Sequence, residues 1–170
     1  MHGGTAINLF VRDMPRLSVD IDLTYVEIAE REETLDGINA ALVRIKQRIE
    51  SLRPLIRIQH RENVCKLQLD ERGMMIKIEV NMVGRGLLGD IAKAQLCGAA
   101  QEQFESFCVM SIVPLAQLYG GKLCAAMDRQ HPRDLFDVKL LFENEGLSLV
   151  WLVVIGRPMK CLIPTYLISE

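Results

Sequence analysis

The segment Leu17–Tyr25, LSVDIDLTY, alternates apolar and polar residues and places Asp20 and Asp22 in the same phase. Successive side chains of a strand point to opposite faces. The pattern therefore predicts a strand over about residues 17–25, with Val19, Ile21 and Leu23 toward a core and both carboxylates on the other face. Two acids two residues apart on a rigid strand repel each other unless a cation lies between them. Mg²⁺ suits that place, because it takes oxygen ligands and binds through one or two carboxylates plus substrate phosphates. Upstream, Gly3-Gly4-Thr5 offers bare backbone N–H groups and a hydroxyl to a phosphate.

A third acid follows the same logic. In Met75–Asn81, Ile76, Ile78 and Val80 take one face of a strand, and Lys77, Glu79 and Asn81 the other. If this strand neighbours the first, Glu79 joins Asp20 and Asp22. Three acids on one face would hold two metal ions about 3.5–4 Å apart, the geometry of in-line phosphoryl or nucleotidyl transfer. Glu79 would serve as ligand or as general base. Each piece alone has a plainer explanation. Acids alternating along a strand are ordinarily its solvated face, and a glycine pair ordinarily marks a turn. The combination carries the reading.

The remaining chain sets the frame. Its 170 residues predict one domain, or one with a small appendage, and 49% hydrophobic content is ample for a core. A net charge of −2 argues against nucleic-acid binding by bulk charge alone. The five cysteines include no Cys-x-x-Cys pair, which disfavours a zinc site or disulfide framework. No signal peptide is evident, and the longest apolar stretch, Leu147–Ile155, falls well short of the ~20 residues needed to span a bilayer. The expectation is a soluble, cytoplasmic protein. The apolar tail from Leu147 is a candidate for self-association.

Local patterns predict a short helix over residues 5–12 with Thr5 as N-cap, and an amphipathic helix from Thr34 to Leu52. Strands are expected over 55–60, 64–69 and 74–81, with a hairpin turn at Asp70-Glu71-Arg72-Gly73. Gly84, Gly86 and Gly89 mark a loop. After a helical or irregular stretch, a strand over 107–113 precedes helices starting at Pro114 and Pro132. Lys122 is a compact cation suited to a triphosphate, or else a solvated helix lysine. Asp134 and Asp137 share a helix face; Arg129 and Arg133 are candidates either to pair with these acids or to reach a phosphate, with pairing favoured for Arg133. His60 and His131 have no metal-site spacing. Arg44, Lys46, Arg48, Arg53, Arg57, Arg61 and Lys66 concentrate positive charge that could meet an RNA backbone, although a solvated face is favoured.

The pieces GGTAINLF, RLSVDIDLTY and IKIEVN resemble the nucleotidyltransferase motifs of the AbiEii-type abortive-infection toxins, in the DNA polymerase β superfamily. Lys122–Arg129 and Pro132–Asp137 are similar to that family's downstream Lys and Arg-Asp-x-x-Asp motifs. The resemblance implies a two-metal, Mg²⁺-dependent enzyme that moves a nucleotide from a nucleoside triphosphate to an acceptor such as a tRNA end, and that is paired with an antitoxin. By position, Gly3, Gly4 and Thr5 match the phosphate-holding turn, and Asp20 and Asp22 the metal-binding pair. Glu79 matches the third carboxylate, and Lys122 and Asp134 the downstream nucleotide-binding positions. The chain carries His2 where a lysine commonly precedes the glycine pair. It is expected to be short at both ends relative to the family.

The expected fold is α/β (α+β): a nucleotidyltransferase-like, mixed, twisted sheet with helices on one face, in a core over 1–113. A C-terminal helical segment and apolar tail follow over 114–170, and the helices over about 114–145 are expected to close the nucleotide cleft. Two rivals stand beside the RNA-modifying enzyme. One is a truncated, inactive interaction module that associates through the tail. The other is an adenylyltransferase acting on a small molecule such as an antibiotic.

Overall fold

The structure, a computed structural model, describes residues 1–82, 84 and 86–146. In chain order the elements are α1 (Gly3–Ala6), continued by a π turn (Ile7–Val11), β1 (Ile21–Thr24), α2 (Arg31–Leu52), β2 (Arg57–Arg61), β3 (Lys66–Glu71), β4 (Met74–Asn81), β5 (Ala92–Gln95), α3 (Gly98–Phe104), β6 (Val109–Ile112), α4 (Leu115–Arg129) and α5 (Pro132–Asn144). They divide into two units. The first comprises Met1–Leu87 and Ile91–Ile112; the second comprises Leu88–Asp90 and the chain from Val113.

In the first unit, β1 to β4 form one mixed sheet in the order β1-β4-β3-β2. β1 runs parallel to β4, with Asp22 opposite Glu79. β3 pairs antiparallel with both β4 and β2. The β3–β4 hairpin turns through Arg72 and Gly73, both at positive φ, the backbone that a two-residue hairpin needs to follow the strand twist. One sheet face is covered by α2. Ile38 and Leu42 of α2 are buried with Leu67, Leu69 and Ile78, and Ile21, Leu23, Ile45, Ile49 and Val80 pack around them. The period-3.6 stripe of α2 thus meets the period-2 stripes of three strands. The residues between those apolar positions, Asp22, Glu79 and Lys66, therefore lie on the opposite face.

Some local expectations need correction. Thr5 does not cap a helix: α1 begins at Gly3 after His2. The Thr5 hydroxyl instead bonds Ser18 Oγ (2.9 Å) and the Asp20 carbonyl. The first strand is shorter than its alternation suggests, because its ladder with β4 covers only Ile21–Thr24. Val19, expected in the core, is 52% exposed. The stretch after the glycine loop holds β5, which pairs with β6 in a separate two-stranded sheet, and α3. The apolar tail from Leu147 lies outside the described residues.

The second unit is built on α4 and α5. Pro132 occupies the first turn of α5, where its missing N–H costs nothing. His131 caps the same helix, its Nδ1 accepting from the Arg133 backbone N–H at 3.2 Å. Leu118, Tyr119, Lys122 and Ala126 are buried on α4, and Asp134, Asp137 and Leu141 on α5. Among the described residues no helix is long and apolar enough to cross a membrane.

Candidate functional site

Residues 2–5 fold back against β1. The His2 N–H donates to the Asp22 carbonyl at 2.9 Å, and His2 and Asp22 form an antiparallel bridge. Gly3 has φ +77, and a Cβ there would collide with Asp22 Oδ2. The backbone of residue 3 thus lies directly against the Asp22 carboxylate, a distance and a conformation that only glycine permits. A Cβ on Gly4 would stand 2.8 Å from Arg16 Nη2. The Thr5 hydroxyl ties the turn to the Ser18–Asp20 segment from the other side. The glycine turn, the Asp20 backbone and the Asp22 carboxylate, which are separated in sequence, are therefore neighbours, with the Arg16 guanidinium against Gly4. Sequence reasoning does not single out Arg16; its only local signal is its place at the head of the alternating segment.

Glu79 is the registered partner of Asp22 on β4. Both side chains lie on the sheet face opposite α2, since Ile21, Leu23, Ile78 and Val80 belong to the core side. On its other flank Glu79 is registered with Lys66 of β3. The Lys66 ammonium forms an ion pair with Glu79 Oε1, and both side chains are partly exposed. Among the described residues, no group of three or more His, Cys, Asp and Glu side chains is placed to hold a metal ion. The Asp20–Asp22 pair has the donor chemistry of an Mg²⁺ site completed by substrate phosphates, while the carboxylate of Glu79 is engaged by a lysine.

Lys122 and Asp134 form a separate arrangement within the second unit. Lys122 is only 7% exposed, Asp134 2% and Asp137 0%. The Lys122 Nζ lies 2.8 Å from Asp134 Oδ1 and 3.2 Å from Asp137 Oδ2. Arg129 Nε meets Asp134 Oδ2 at 2.6 Å. Lys122 is thus no solvated helix lysine, and Arg129, one of the two arginine candidates, is a partner of Asp134. Burial by itself would raise the Asp134 pKa; hydrogen bonds from Arg129 and Lys122 and their two charges outweigh it and hold the group at about 2. Two cations and two carboxylates so placed balance their charges and join α4 to α5.

The other polar candidates have ordinary structural partners. His60 Nε2 lies 3.1 Å from Asn39 Oδ1. Within the basic run, Lys46 pairs with Glu50 at 3.8 Å and Arg53 with Glu71.

The family model described as nucleotidyl transferase AbiEii toxin, type IV TA system, matches residues 1–154 of the 170. No curated protein and no solved structure matches the chain.

Proposed function

The chain belongs to the AbiEii nucleotidyl transferase toxin family of type IV toxin–antitoxin systems, and on that premise we propose that it transfers a nucleotide from a nucleoside triphosphate to an acceptor hydroxyl, as at a tRNA end. The packing of the Gly3 backbone against the Asp22 carboxylate carries the reading. It sets the segment suited to a phosphate against one of the acids suited to Mg²⁺, which supports a metal–triphosphate reading.

In this reading the Gly3-Gly4-Thr5 turn receives the triphosphate through backbone N–H groups and the Thr5 hydroxyl. Asp20 and Asp22 would hold Mg²⁺, which would neutralise phosphate charge and favour the deprotonated acceptor hydroxyl. The acceptor oxygen bonds to the α-phosphorus, the bond from that phosphorus to the bridging oxygen breaks, and pyrophosphate leaves. Glu79 joins the metal ligands or takes the acceptor proton. In the second unit, Lys122 is the proposed nucleotide-binding lysine, with Asp134 and Asp137 orienting its ammonium. The toxin family further supports a cognate antitoxin as partner.

Calorimetry with a nucleoside triphosphate tests the reading. Saturable binding that requires Mg²⁺, and that Asp20→Ala with Asp22→Ala removes, is expected. Binding unchanged in the double variant contradicts the site.

A further inference from the structure

A single registered row crosses the sheet face opposite α2: Asp22 on β1, Glu79 on β4, Lys66 on β3 and Arg61 on β2. The first two are acids on adjacent strands, which stand about 4.8 Å apart. Like charges at paired positions of a sheet destabilise it unless a counter-charge is near. Lys66 provides one, and its ammonium is bonded to Glu79 Oε1. Cys65 and Leu67, on either side of Lys66, are both fully buried. They fix the backbone of β3 so that residue 66 must face the acids. The geometry leaves the Lys66 stem little choice of direction.

The same carboxylate cannot serve both cations fully. A divalent ion entering beside Asp22 would meet an ammonium already bonded to Glu79, and the two positive charges would repel each other at short range. We infer that Lys66 is the built-in counter-cation of the acidic row: it holds Glu79 when no divalent ion is bound and yields it when one enters, and so sets how tightly the metal is held. This rests on the reading of Asp20 and Asp22 as metal ligands. Lys66 is here a positioning residue, acting through Glu79. Its effect has an opposite sign to that of an ordinary structural ion pair. Removing a structural partner loosens the site and weakens metal binding. Removing a resident competitor tightens it. At the same time the metal-free protein loses the charge paired with Glu79.

The test uses the full chain and Mn²⁺ alone as the probe, with binding followed by calorimetry and folding by thermal melts. Lys66→Met should bind Mn²⁺ about tenfold more tightly than the parent, as expected when one like charge is removed a few ångströms from the ion, and should melt at lower temperature without metal. Lys66→Arg keeps the charge and should bind within about twofold of the parent. If Lys66→Met does not fold, Lys66→Gln carries the same expectation. Equal or weaker Mn²⁺ binding in the neutral variant overturns the inference, as does Lys66→Arg binding as tightly as Lys66→Met. If the parent binds Mn²⁺ through Asp20 and Asp22 and the neutral variant gains nothing, only this inference falls. If neither protein binds Mn²⁺, this inference falls, and the metal-site reading is decided by the Mg²⁺–nucleotide titration.

Discussion

The backbone of Gly3 lies against the carboxylate of Asp22, so that no side chain fits at residue 3 without displacing the acid. Gly3 also has φ +77, where a residue with a Cβ is strained. Gly3→Ala should therefore lower unfolding free energy by ~1–3 kcal/mol and move Asp22. Urea unfolding measures the first effect, and loss of Mg²⁺-dependent nucleotide binding reports the second. Gly73, also at positive φ, is surrounded by open space, with nothing within 4 Å of where a Cβ would stand. Gly73→Ala should cost stability alone and leave nucleotide binding unchanged.

Lys122 offsets two buried carboxylates, Asp134 and Asp137. Lys122→Met leaves Asp137 without that ammonium and Asp134 with Arg129. Breaking a buried ion pair from one side costs ~3–5 kcal/mol, so the variant should melt far below the parent at pH 7. Lys122→Met with Asp137→Leu should recover part of the loss, because no uncompensated charge is then buried.

Asp134 gives the protein a defined acid sensitivity. Its folded-state pKa of about 2 lies below the ordinary 3.8. A depressed carboxylate pKa adds stability that is fully present above the unfolded-state value and is lost as pH falls through the folded-state value. The contribution, on the order of 2 kcal/mol, should fade between about pH 4 and pH 2. Unfolding of Asp134→Asn measured beside the parent should show a pH-dependent gap that narrows over that window. A constant gap would contradict the assignment.

The core that carries the acids should be sensitive to volume. Leu67 is fully buried beside Ile38, Leu42 and Ile78, and its neighbour Lys66 faces the acid row. Leu67→Ala should cost ~2–5 kcal/mol, read from urea unfolding.

Much of this arrangement is legible in the sequence where a pattern is local and strong. β4 spans Met74–Asn81 and α5 starts at Pro132, as alternation and the N1 proline predict. The apolar period of α2 identifies Ile38 and Leu42. Features set by tertiary pairing are not legible in the same way. β1 is shorter than its alternation because the β4 ladder ends with it. β5, Ala92–Gln95, has two alanines and no β-branched residue to announce a strand. The Lys66–Glu79 pair depends on antiparallel register between strands that each look self-sufficient. Arg129 reaches Asp134 because the chain reverses at Gln130, at φ +49, which places the last residue of α4 beside the first turn of α5.

The most direct measurement of the central claim is transfer of label from a radiolabelled nucleoside triphosphate to RNA, with Mg²⁺, by the parent and by Asp20→Ala with Asp22→Ala. The parent should label RNA and release pyrophosphate; the double variant, with an unchanged circular-dichroism spectrum, should label none. Equal labelling by both proteins would contradict the account.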